Sequence, residues 1–401
     1  MNRIAIALGA ALALATATRT ATAGTVSVEQ QSGRNVRVFV PTKPASPASL
    51  VVMLHGCTQS PDDFADATQM DALAEQEGFV VAYPEQSADT IPTRCYQWWD
   101  PAHQARDAGE PKELADAALA VAKGHGVDEE RVYVAGISAG AAMSVILGAT
   151  YPDRFVAIGV IAGVEFKRAT SLSGGLGVGA SGGPGADAQG DLAFTAMGTH
   201  ARPVPTFVVH GTSDGVVAPI NGDQVEAQWL RTNTRVMGDG TIDAVQSATG
   251  TAGYSFTHLV HRNKANGASV IEHYVVDGLG HAWPGGKVGG SFSDVKGPNT
   301  SALLWAFFKG RTRAAPFAVP PVVLPSTPGT DPGTDTGTSS GDPASTERAP
   351  DSSPPDGTAG SSSSSSGGCA LARERSKSSA PYAALLAAAV ALALGARRKR
   401  V

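Results

Sequence analysis

This sequence predicts an α/β fold, a mostly parallel sheet covered by helices, and two observations carry that expectation. From about Gly24 to Arg313, short β-branched runs alternate with amphipathic or Ala-rich windows, the pattern that successive strand and helix units leave in a chain. Each junction from strand to helix carries Gly, Ser, Asp or Asn, the residues that turn a chain tightly and cap a helix.

Taken in order, Asn35 to Val40 reads as an edge strand, Leu50 to Leu54 as a central strand and Asp62 to Gln76 as a helix. Phe79 to Ala82 is the next strand, Lys112 to Lys123 a helix, Val132 to Ala135 a strand and Ala139 to Thr150 a helix. Strands follow at Val156 to Ile161 and Thr206 to Val209, then a helix at Gly222 to Arg231, a strand at Val270 to Val276 and a helix at Thr300 to Phe308. Their apolar residues fall at the spacing each element requires. One stretch breaks the alternation: Ser171 to Gly190 is mostly Gly, Ala and Ser, and reads as a flexible surface loop, either an adjustable rim over a site or an inert insertion.

The ends have a different composition. Arg3, the apolar run Ile4 to Ala15 and Ala21-Thr22-Ala23 read as a signal peptide over residues 1–23, leaving 24–315 as one globular domain. Residues 316–366, rich in Pro, Gly, Ser and Thr, read as a disordered linker with no core. Residues 367–401 hold Gly367-Gly368-Cys369, an apolar segment at 380–396 long enough to span a bilayer, and the basic cluster Arg397, Arg398, Lys399 and Arg400. Elsewhere a net charge of −5 leaves no extended basic face, so nucleic acid is not an expected partner. In the oxidising compartment that a signal peptide implies, Cys57 and Cys95 of the globular part are candidates for a disulfide, while Cys369 stands apart in the tail.

The chemistry concentrates at four junctions. Gly136-Ile137-Ser138-Ala139-Gly140 joins a strand to a small-residue helix, the setting of a nucleophile elbow, whose glycines permit a turn too tight for side chains. Gly211-Thr212-Ser213-Asp214-Gly215 matches the same pattern, but Val216-Val217-Ala218-Pro219 starts no helix. That second match reads better as the acid station, with Asp214 orienting a histidine. Gly280-His281-Ala282 follows a late strand, and His281 completes the order Ser, Asp, His. Asp277 is a rival acid that reads as a turn residue, and His55, His210 and His273, in or at the ends of strands, read as structural. The backbone amides of Cys57 and Ala139 are placed to be oxyanion donors. Trp98, Trp99 and Trp283 are candidate substrate contacts; core packing is the competing reading for the first two.

His55-Gly56-Cys57-Thr58-Gln59, Gly136 to Gly140, His210 to Asp214 and Gly280-His281-Ala282-Trp283-Pro284-Gly285-Gly286 together resemble the polyhydroxybutyrate depolymerase family of esterases, itself similar to feruloyl and acetyl-xylan esterases. The resemblance spans about Asn35 to Lys309. It implies an α/β-hydrolase fold, a catalytic Ser138, Asp214 and His281, and carboxyl-ester cleavage with no metal or organic cofactor. The implied substrate is polyhydroxyalkanoate, in particular hydroxybutyrate polymer or oligomers. Feruloylated or acetylated plant polysaccharide is the alternative, and a serine peptidase or a non-catalytic surface binding module lies further off. The tail resembles the MYXO-CTERM sorting signal of myxobacterial surface proteins. That implies secretion, membrane association through 380–396, processing near Cys369 and display at the cell surface or outer membrane.

Overall fold

Leu50, Val51, Val52, Met53 and Leu54 offer no polar face to water, so the strand that carries them has to be covered on both sides. In the computed structural model, which describes residues 24–183 and 185–317, the strand runs Ala48–Leu54 (β3) and is buried throughout. Its side chains alternate between two cores: Leu50, Val52 and Leu54 enter one, and Val51 and Met53 enter the other. The segments read as signal peptide and sorting tail, and the linker beyond residue 317, lie outside the described residues.

In the described residues, ten strands make one sheet. Its centre is parallel, with Val80–Pro84 (β4), β3, Val127–Ile137 (β5), Ile158–Ile161 (β6), Thr206–Gly211 (β7) and Ser269–Val276 (β10) side by side in that order. Antiparallel strands close both ends: Thr25–Gln31 (β1) and Arg34–Val40 (β2) beyond β4, and Tyr254–Arg262 (β9) and Gln246–Ala252 (β8) beyond β10. β2 is therefore not the edge strand expected. Ser32 and Gly33, at φ 51° and 81°, turn the chain in two residues so that β1 pairs outside it.

One face of the sheet carries Pro61–Thr68 (α1), Met70–Glu77 (α2) and Thr300–Phe308 (α8). The other carries Gly109–Gly124 (α3), Ala139–Thr150 (α4), Ala186–Met197 (α6) and Ile220–Met237 (α7). The single helix expected over Asp62 to Gln76 is two, broken where Gln69 turns left-handed at φ 54°. The cause is tertiary: the Lys287 amide donates to the Ala67 carbonyl at 2.9 Å, and the Ser301 hydroxyl donates to the Thr68 carbonyl at 2.6 Å. Those carbonyls are drawn to the chain that follows His281.

The stretch Ser171 to Gly190 is also corrected. It holds the helix Leu172–Ser181 (α5) and the start of α6, not an irregular loop. Ser171 caps α5 by accepting from the Gly174 amide. The far end is fixed by the Ala218 amide and the Asn221 side chain, both donating to the Gly179 carbonyl, at 2.6 and 3.3 Å. Tertiary hydrogen bonds thus order a segment whose glycines disfavour a helix on their own.

Candidate active site

The turn after β5 shows why its sequence reads Gly-x-Ser-x-Gly. A Cβ at Gly136 would sit 2.5 Å from the Gly140 carbonyl carbon, and one at Gly140 only 2.1 Å from the Leu54 carbonyl oxygen, approaches no side chain can make. Between them Ser138 is held at φ 57°, ψ −121°, strained backbone that a fold retains where it must aim a side chain. Ser138 is the N-cap of α4, so the positive end of that buried helix lies beside its hydroxyl.

Asp214 and His281 follow β7 and β10, at the same C-terminal edge of the sheet where the crevices of parallel α/β folds lie. His281 Nδ1 donates to Asp214 Oδ2 at 2.7 Å, and Asp214 Oδ1 accepts from the Val216 and Val217 amides at 2.8 and 2.9 Å. The Asp214 side chain is 0% exposed and that of His281 7%. Burial alone would raise the aspartate pKa, but the hydrogen bond from His281 and attraction to His281 and His210 outweigh it and hold the carboxyl below its usual range. Ser138 and His281 border one small cavity with Gly56, Gln59 and Phe292. They are not hydrogen bonded to each other here, a contact that often tightens only when substrate is bound.

The competing readings separate cleanly. Ser213 is exposed, and its amide ties to the Leu279 carbonyl at 3.0 Å. Asp277 accepts from the Thr212 hydroxyl at 3.0 Å and so braces the turn. His55 donates to the Gly56 carbonyl and accepts from the Gln86 amide, at 2.8 and 3.1 Å. His210 donates to the Val217 carbonyl at 2.9 Å, and His273 bonds Glu226 at 2.6 Å. Burial pushes the His55 and His210 imidazoles down to about 4.

Cys57 and Cys95 form a disulfide, with their Cα atoms 4.2 Å apart. It pins the loop after β3, which is further held by the Thr58 amide donating to the Thr93 carbonyl at 2.7 Å. Buried Gln59 accepts from the Gly56 amide at 2.8 Å and donates to the Ser291 carbonyl at 2.9 Å. In that loop the amides of Gly56, Thr58 and Gln59 have protein acceptors; that of Cys57 has none among the described residues. Ala139 opens α4, where a first-turn amide has no partner within the helix. Cys57, Ser138 and Ala139 border one larger cavity of about 450 Å³.

Trp98 and Trp99 line that cavity, packed edge to face at 5.8 Å. Trp283 does not, and its reading as a substrate contact is corrected. It is 0% exposed, meets Phe64 edge-on at 5.5 Å, and its indole donates to the Ser301 hydroxyl at 3.1 Å. Phe292, which borders both cavities at φ 49° and meets the His281 ring edge-on at 6.0 Å, went unread. So did Leu176 and Val217. Nothing local marks these residues, because the fold brings them from three separate segments. Among the described residues no group of three or more His, Cys, Asp or Glu side chains is placed to hold a metal ion.

A parallel sheet flanked by helices, with a strained serine on an elbow and an Asp–His pair at the same edge, is the α/β-hydrolase architecture. The acetyl xylan esterase from Aspergillus awamori has this fold too, with a TM-score of 0.54 at 23% identity over 64% of this chain and 94% of that one. Residues 37–251 match the family model described as Esterase PHB depolymerase, and the chain belongs to that family. It is similar to poly(3-hydroxyalkanoate) depolymerase C of Paucimonas lemoignei, 35% identical over 62% of this chain and 59% of that protein. Poly(3-hydroxybutyrate) depolymerase of Ralstonia pickettii is 28% identical over 62% of this chain and 51% of its own. The chain thus spans between half and three fifths of the length of these two relatives.

Proposed function

We propose that the protein is an exported serine carboxylesterase that cleaves esters of the polyhydroxyalkanoate class, with hydroxybutyrate oligomers and polymer as its reference substrates. The observation that carries this reading is the 2.7 Å pairing of His281 with a buried Asp214 beside a serine held at φ 57°. Family membership and the names of the two depolymerase relatives support the substrate class. Residues 1–23 would direct export, and residues 367–401 would hold the enzyme at the cell surface.

In the proposed reaction Ser138 Oγ attacks the ester carbonyl carbon while His281 Nε2 takes its proton. The negative charge that forms on the carbonyl oxygen is met by the Cys57 and Ala139 amides. As the intermediate collapses, the C–O bond to the alcohol breaks and the imidazolium protonates the leaving oxygen. Water then gives a proton to His281 and attacks the acyl carbon, the bond to Ser138 Oγ breaks, His281 returns the proton to that oxygen, and the acid is released. Asp214 keeps the Nδ1–H tautomer and stabilises the imidazolium throughout.

The test is hydrolysis of p-nitrophenyl esters, hydroxybutyrate oligomers, methyl ferulate and acetylated xylan by the protein and its Ser138→Ala variant. The substitution should lower the rate about 10⁴-fold or more, and abolish labelling by an organophosphonate. A variant that still turns over esters at the wild-type rate would remove Ser138 from the mechanism. A preference for ferulate or acetylated xylan would move the enzyme to polysaccharide de-esterification.

A further inference from the structure

Two cavities meet at Ser138, and they differ in one respect that fixes which half of an ester each can hold. The small one is bordered by His281; the large one reaches Ser138, Cys57 and Ala139 but not His281. The leaving oxygen must lie within hydrogen-bond reach of the imidazolium that protonates it. The alcohol half therefore leaves past His281, and the acyl half extends into the large cavity.

That cavity measures about 450 Å³. At about 30 Å³ for each water-sized group, an acetyl group would leave most of it empty, whereas a chain of about six to ten carbons would occupy roughly half of it. Its wall is almost wholly carbon, with Trp98, Trp99, Val164, Leu172, Val217 and Phe292 around it. The hydroxyl of Thr58, one of the few polar groups there, is already spent on the Cys57 carbonyl at 2.6 Å. A chain bearing many further ester or sugar oxygens would find few donors along such a wall.

α5 makes the space. Gly175 and Gly179, one helical turn apart, are buried and face the cavity, and Leu176 beside them also lines it. A Cβ at Gly175 would come within 3.1 Å of the Trp98 ring and 3.2 Å of Trp99. Gly177 on the same helix looks the other way, with nothing within 4 Å of the position its Cβ would take. We propose that this glycine-walled cavity is the acyl-side subsite, and that it selects a hydrocarbon acyl group of about six to ten carbons over acetyl. The assignment rests on the esterase reading above.

The test is kcat/KM of the purified full chain for p-nitrophenyl acetate, butyrate, hexanoate, octanoate and decanoate, in wild type, Gly175→Ala and Gly177→Ala. Each buried methylene is worth about fourfold, so the wild type should prefer hexanoate or octanoate to acetate by at least about tenfold. Gly175→Ala should cut the octanoate-to-acetate ratio by about threefold or more and move the optimum to shorter chains, whereas Gly177→Ala should keep the wild-type ratio. Equal ratios in the two variants, or a wild type that cleaves acetate as well as octanoate, would overturn the subsite and leave the esterase reading standing. A wild type inert to every ester would overturn both.

Discussion

Replacing Asp214 by Asn keeps an oxygen that can accept from the Val216 and Val217 amides, so the turn should survive. What changes is the side facing His281: an amide N–H would confront Nδ1 where a carboxylate now accepts at 2.7 Å. The ring would then favour the other tautomer, with its proton on the nitrogen that should act as base. The expected outcome is a fall in kcat of about 10⁴-fold with a melting temperature close to wild type; a small kcat effect would mean that another carboxylate orients the ring. Ser138, Asp214 and His281 stand out as candidates in the sequence because each sits in a short run whose glycines report local geometry. Trp283 was misread for a related reason. It lies two residues after His281, but adjacency in sequence does not set the direction of a side chain, and its indole turns inward to Phe64 and Ser301.

Among the elements, α4 and α8 were legible to the residue, since a small-residue helix behind the elbow and an apolar helix capped by Asn299 both signal locally. β8 was not, because most of its side chains lie exposed at the end of the sheet, where no apolar alternation is needed. The loop after β3 is legible on both counts: its sequence marks it as an oxyanion loop and offers Cys57 and Cys95 as candidates for a disulfide, and the structure pairs them. Closing a loop with a sequence separation of 38 contributes about 4 kcal/mol in the chain-entropy account. Cys95→Ser should therefore lower stability by roughly that amount and, by loosening the Cys57 amide, lower kcat by about tenfold. Thermal melts and steady-state kinetics on the same preparation separate the two effects. A lower melting temperature with unchanged kcat would assign the positioning of the amide to Gln59 and the Thr58–Thr93 bond alone.

Over the whole molecule, buried titratable groups pull the pH dependence of stability in opposite directions. His55 and His210 are pushed by burial from 6.5 to about 4, so between those values the unfolded chain binds their protons first and stability falls as the pH drops. Glu165 works the other way. Burial raises its carboxyl from 4.5 to about 7, even though Arg168 Nε lies 3.1 Å away, too far off axis to be a hydrogen bond to it. Between 4.5 and 7 the folded chain holds that proton while the unfolded chain releases it, so this contribution is complete below about 4.5 and is lost as the pH rises through 7. A glutamine cannot ionise, so Glu165→Gln should gain on the wild type as the pH rises. Its stability difference from wild type should be more favourable at pH 8 than at pH 4.5 by about 3 kcal/mol. Denaturant unfolding of both proteins at the two pH values measures that double difference, from which the shared histidine contribution cancels. A difference that stays constant with pH would show that Arg168 keeps Glu165 ionised throughout, and that the segment after β6 is held by an ion pair instead of a protonated acid.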